Sequence, residues 1–164
     1  MTTTYKAGMY IGVLCGIWQL IMGLTGWYKD PAMYNIFFVV ILIQVGVLIW
    51  GLKQTAPAKT YGGQVGAGTL MSLVGGGIII IVSILFTALL FPKYFEEVRT
   101  MTIEMYKVQG KTEEEINALL SASQWSQTPI VTALSGFLGT LVTGLIASLI
   151  IAIFLRKKDQ PASA

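Results

Sequence analysis

The chain has 164 residues, 54% of them apolar and 12% charged, with a formal net charge of +3; an ordinary soluble domain carries about 25% charged residues. No Asp, Glu, Lys or Arg occurs at positions 7–28, 31–52, 60–92 or 116–155, and each gap exceeds the roughly 20 residues a helix needs to cross a hydrocarbon core about 30 Å thick. These counts exclude a soluble enzyme domain and, with no histidine and one cysteine, the common haem, zinc and intrachain disulfide sites.

The pattern predicts an all-α membrane protein with four transmembrane helices arranged as two hairpins, in one domain covering residues 1–164. The first span is placed at about 9–27. Its start resembles a secretory signal, but the apolar stretch is longer than a signal core and no A-x-A cleavage site follows, so it is read as a permanent span. Trp27, Tyr28 and Lys29 suit the headgroup level. Asp30-Pro31 is read as a tight turn with Pro31 at the first position of the next helix, which places the second span at about 31–52. Pro57 and Gly62-Gly63 mark a connecting loop before a third span at about 65–91.

Residues 92–128 form the one long polar segment. Tyr94, Phe95, Val98, Met101, Met105 and Val108 recur at helical spacing opposite Glu96, Glu97, Arg99, Glu104 and Lys107, which predicts an amphipathic helix. Gly110 is a C-terminal stop, and Thr112-Glu113-Glu114-Glu115 has capping-box spacing that starts a second short helix. Trp125 and Pro129 mark re-entry into the membrane. The fourth span, about 129–155, stops at Arg156-Lys157-Lys158.

An even number of spans puts both termini on one side. Lys6, Lys53, Lys59, Arg156, Lys157 and Lys158 fall there in short segments, which assigns that side to the cytoplasm and residues 92–128 to the exterior. The same scatter of bases at span ends speaks against a nucleic-acid surface.

Small residues recur every fourth position: Gly8, Gly12 and Gly16 in the first span, and Gly68, Ser72 and Gly76 in the third. The fourth span has two adjacent stripes, Ser135, Gly139, Thr143 and Ala147 beside Gly136, Thr140, Gly144 and Ser148. Such stripes let helix backbones approach closely in lipid. They are read as contacts within the bundle first, and otherwise with a second copy or a different membrane subunit. Gln19 and Gln44, long polar side chains inside the first two spans, are read as hydrogen-bonding across helices. Cys15 is read as a packing residue. No ionisable group lies between the interfacial ends of the spans, which disfavours proton or ion coupling. Tyr94, Phe95, Val98, Met101, Met105 and Trp125 are candidates to lie on lipid, cap the bundle or grip a partner helix. The glutamates lack calcium-loop spacing, and neither G-x-S-x-G, a Walker loop nor H-E-x-x-H is present.

Tyr61-Gly62-Gly63-Gln64 with Gly66 and Gly68, Glu104-Met105-Tyr106-Lys107, Gly110 through Ile116, and the last span ending Arg156-Lys157-Lys158 together carry a family resemblance. The chain resembles the bacterial membrane proteins grouped as domain of unknown function 4199, most strongly from Tyr61 to Lys158. The resemblance implies a four-span protein of the bacterial cytoplasmic membrane and assigns no functional residue. The resulting expectation is a non-catalytic accessory or scaffold subunit that binds membrane helices or lipid, without cofactor, metal or nucleic acid. The alternative is an uncoupled channel or small-molecule or lipid transporter using Gln19, Gln44 and the hydroxyls of the last two spans.

Overall fold

The computed structural model of the chain describes residues 2–155, so Arg156-Lys157-Lys158 and the tail after them lie outside the described residues. Six α-helices form it, with no strand among those residues: α1 Thr3–Thr25, α2 Val39–Thr55, α3 Tyr61–Leu85, α4 Tyr94–Val108, α5 Glu113–Ser123 and α6 Pro129–Leu155. Four stretches are long and apolar enough to cross a membrane: Thr3–Thr25, Asn35–Ala58, Tyr61–Leu90 and Pro129–Leu155. Leu24, Leu42, Ile81, Leu89 and Phe154 on these stretches are exposed, whereas Gln44, Gln64, Ser72 and Ser148 are buried. Large apolar side chains facing outward, with several polar ones buried among the apolar core, depart from the arrangement of a soluble protein and suit a hydrocarbon solvent.

The boundaries differ from the sequence expectation at α2. Pro31 does not open a helix. The Asp30 carboxylate accepts from the Ala32 amide at 2.8 Å and the Asp30 carbonyl from the Met33 amide at 3.1 Å, closing a turn around Pro31. A 3-10 stretch, Tyr34–Phe38, follows before α-helical winding begins at Val39. Aspartate's habit of bonding its own backbone two residues on outweighs proline's preference for a helix start. Helix α1 begins six residues earlier than expected and α3 four, since Thr3 and Tyr61 already have helical backbone. At Tyr61 the Thr60 hydroxyl caps the helix.

Helix α3 is central. Gly8, Gly12 and Gly16 of α1 lie in turn against Met71–Val74, Gly75–Ile78 and Val82, so α1 and α3 run parallel. Helix α6 runs antiparallel to α3: Gly68 faces Ser148, Ser72 faces Gly144 and Gly76 faces Phe137. Helix α2 packs on α1 and α6, with Gly51 against Ala7 and Met71. Ala7, Ile11, Leu48, Leu52 and Met71 are fully buried and fill the half of the bundle nearest the termini. After Leu85 the helix widens into a π-wound turn, Phe86–Leu90, in which the Phe91 amide donates to the Phe86 carbonyl at 2.8 Å.

The capping box at Thr112 is present, with the Glu115 amide donating to the Thr112 hydroxyl at 3.3 Å and the Thr112 amide to the Glu115 carboxylate at 2.9 Å. The Thr112 amide, joined by the Thr112 hydroxyl at 3.2 Å, donates to the Glu115 carboxyl and holds it below its ordinary value. Gly110, at φ 77°, ends the preceding turn in the left-handed region, where glycine carries no Cβ penalty.

Candidate functional site

Every-fourth-residue spacing has two different outcomes. On α3 and one stripe of α6, glycine and serine interlock. A Cβ on Gly68 would overlap the Ser148 side chain, and one on Gly144 would overlap that of Ser72. The hydroxyls in this seam turn back onto their own helix, Ser148 donating to the Gly144 carbonyl at 2.6 Å and Thr140 to that of Gly136 at 2.8 Å, which removes free polar atoms from the contact. Gly136 lies near Ile79.

The neighbouring stripe of α6 meets no helix of this chain along most of its length. A Cβ on Gly139 would have no neighbour within 4 Å. Ser135, Gly139 and Thr143 instead line a cavity of about 400 Å³ between α2 and α6, opposite Phe37, Phe38, Val40 and Ile41. The helix-packing role expected for Ser135 and Gly139 is therefore absent within the chain. Only Ala147, one turn further on, returns to the buried core. Cys15, Gln19, Ile79 and Ser83 form the inner wall, and Tyr94 lies at the end nearest α4. Ser135 and Gly139 are exposed on α6, as are Phe37, Phe38 and Ile41 across the gap, so the cavity opens sideways between the two helices.

Gln44 sets the floor. Its amide nitrogen donates to the Thr140 carbonyl at 2.6 Å and reaches the Ser72 hydroxyl at 3.4 Å, tying α2 to α6 and α3. Gln19 accepts from the Ser83 hydroxyl at 3.3 Å, tying α1 to α3. Bonds of this kind inside a membrane contribute about 0.6 kcal/mol each. The Gln44 Oε1 and the Gln19 Nε2 have no hydrogen-bond partner among the described residues, and both side chains line the cavity. Cys15 is buried, its thiol 3.8 Å from the Val40 carbonyl.

A family model described as a protein of unknown function (DUF4199) matches residues 6–157. The chain belongs to the DUF4199 family. No curated protein and no solved structure matches it. What the DUF4199 chain carries at its site therefore has to be read from its own residues.

One polar group in this DUF4199 chain escaped the sequence reading. Gln64 is fully buried, donating from Nε2 to the Leu52 carbonyl at 3.2 Å and accepting from the Thr55 hydroxyl at 2.9 Å. It shares the Leu52 carbonyl, in the last turn of α2, with the Thr55 hydroxyl, which also reaches it at 3.2 Å. The signal was available, because Gln64 precedes Gly68, Ser72 and Gly76 at the same four-residue interval.

The second missed feature caps the cavity end of the bundle. Tyr28 is buried against Phe86, Phe91 and Tyr94, with ring centroids at 6.3, 6.1 and 5.1 Å. Such aromatic pairs add roughly 0.5–1.5 kcal/mol each beyond their buried area. The Tyr28 hydroxyl donates to the Glu97 carboxylate, which Lys29 also approaches at 3.4 Å. Burial, then the bond to Glu97, pushes the Tyr28 hydroxyl well above its ordinary value, and the same bond, with help from Lys29, holds the Glu97 carboxyl below its own. Of the residues expected on the inner face of α4, Met101 is buried, Tyr94, Phe95, Val98 and Met105 are half-buried and Val108 is exposed; Trp125, in the turn after α5, is exposed too.

Proposed function

We propose that this chain is a non-catalytic integral protein of a bacterial cytoplasmic membrane that holds a membrane lipid in the cleft between α2 and α6. The observation that carries this reading is the sideways-opening cavity of about 400 Å³ with an apolar lining and a few separated amides and hydroxyls. Ligand sites have this make-up and start near 300 Å³. A gap that opens onto hydrocarbon fills with lipid chains by default; the unpartnered atoms of Gln19 and Gln44 and the hydroxyls of Ser135 and Thr143 give an amphiphile something to hold beyond packing.

A partner helix fits less well. The glycine stripes that would serve a partner subunit are occupied inside the chain at Gly8, Gly12, Gly16, Gly68, Gly76 and Gly144. The uncoupled channel is also less well supported, because Leu48, Leu52 and Met71 fill the bundle below Gln44. In this reading the termini are cytoplasmic, and α4 and α5 form an extracytoplasmic amphipathic cover over the open end of the bundle.

Native mass spectrometry of the full chain, purified in mild detergent, tests the proposal. One lipid should remain bound to the unaltered protein and be lost from Gly139→Trp, whose side chain enters the cleft where no atom opposes it. Lipid-free protein, or equal retention by the variant, removes the reading.

A further inference from the structure

Beside the cleft lies a second cavity of different chemistry. It has a volume of about 350 Å³ and is lined by Arg99 of α4, by Asn117, Ser121 and the apolar Leu120 of α5, by Gln124, and by Gln127 and Thr128 at the entry to α6. No carboxylate lines it. Among the described residues the one ion pair joins Lys29 to Glu97, so the Arg99 guanidinium is in none, and the side-chain amides of Asn117, Gln124 and Gln127 make no hydrogen bond. A guanidinium supplies five N–H donors in a fixed fork and three amides supply six more. Its amide and hydroxyl oxygens can also accept, but the pocket is donor-rich, with one positive charge and no carboxylate lining it to neutralise that charge.

Its position links it to the cleft. Thr128 lines this pocket and Thr132 lines the cleft. The two are one turn apart on the same face of α6, a rise of about 6 Å. Thr128 also caps α6, its hydroxyl accepting from the Val131 amide at 3.3 Å, and exposed Trp125 stands beside Gln124 at the level where the chain meets the apolar span. A molecule lying along this face would put one end among donors and the other in the apolar cleft.

The geometry points to a phosphate-bearing lipid as the occupant, with its phosphate bonded by Arg99 and the amides of Asn117, Gln124 and Gln127 and its chain in the cleft between α2 and α6. This rests on the lipid-binding reading above and adds the chemistry of the headgroup. Arginine forks match phosphate oxygens two at a time, and charge-assisted bonds of this type are about twice as strong as neutral ones.

The test compares phosphatidylglycerol with diacylglycerol of the same two chains, each added to the full-length protein in mild detergent and counted by native mass spectrometry. The unaltered chain should retain phosphatidylglycerol about tenfold better, and Arg99→Gln should bring the two lipids level while leaving diacylglycerol retention and the unfolding temperature unchanged, since Arg99 is exposed. Equal retention of both lipids by the unaltered chain, or an unchanged preference in Arg99→Gln, overturns the headgroup assignment and leaves the cleft reading standing. Retention of neither lipid overturns both. Inorganic phosphate separates the sources: if it alone changes Trp125 fluorescence in an Arg99-dependent way while phosphatidylglycerol is not preferred, the pocket takes a free phosphate and the lipid assignment fails.

Discussion

The two halves of the bundle use the same small residues at the same spacing to opposite ends. Toward the termini, Gly68 and Gly144 receive Ser148 and Ser72 and leave no room for a methyl group. Toward α4, Gly139 faces an open cavity. The stripe therefore specifies only that a backbone is bare. Whether that bareness becomes a contact or a space depends on what stands opposite, and on α6 the two adjacent stripes look to different neighbours. Gln44 marks the boundary, bonded to the closed half through Ser72 and Thr140 and lining the open one.

Substitutions should separate the halves sharply. Gly144→Leu places a branched side chain into Ser72 and should cost several kcal/mol, about 3 or more, seen as loss of the folded monomer in denaturant titration of the detergent-solubilised protein. Gly139→Leu, five residues away, should change stability by less than about 0.5 kcal/mol. Comparable losses from both would mean that the open half is packed and the comparison false. Gln64→Leu removes both bonds of this buried amide, to the Leu52 carbonyl and from the Thr55 hydroxyl, and should destabilise by about 1–3 kcal/mol, with amide exchange rising first around Leu52 and Thr55. Gln44→Leu, which removes the two bonds to Thr140 and Ser72, should cost less, about 1.2 kcal/mol at roughly 0.6 for each bond.

The smallest effect should come from pH. The Glu97 carboxyl is held below its ordinary value of 4.5 by the Tyr28 hydroxyl and Lys29. The unfolded chain therefore takes up a proton more readily than the folded one, so the contribution of this bond is intact above about pH 4.5 and fades as pH falls through the lower folded value. The unfolding temperature should drop over that range in the unaltered protein and drop less in Glu97→Gln. Equal slopes would show that the aromatic cap does not depend on its carboxylate.

The sequence reveals spans well because charge is excluded from hydrocarbon residue by residue: each charge-free gap marks one of the four long apolar helices, the first two running past their gaps to take in Lys6 and Lys53. Local chemistry is equally legible where donor and acceptor are neighbours, as at Thr112 with Glu115 and at Gly110. The start of α2 misleads because Asp30 and Pro31 make competing local offers and only one is taken. The cap is illegible for a different reason. Tyr28 and Glu97 stand 69 residues apart, and an interfacial tyrosine looks the same whether it meets headgroups or a carboxylate. The choice between the two stripes of α6 is likewise a tertiary fact, since Gly139 and Gly144 differ in nothing but the neighbour that α3 supplies.

The π-wound turn at Phe86–Leu90 has an evolutionary consequence. It spends five residues on about the rotation that four residues of ordinary α-helix provide, and so stores one extra residue with little net turn. Deleting a single codon within it, such as that for Ala88, and returning to ordinary winding would leave Phe91 and Tyr94 close to their bearing on Tyr28, whereas the same deletion in an α-wound part of the span would turn everything downstream by about 100°. One triplet can therefore enter or leave the chain at Phe86–Leu90 without re-aiming α4 and α5, and the contacts from Gly8 to Val82 along the seam stay in place either way.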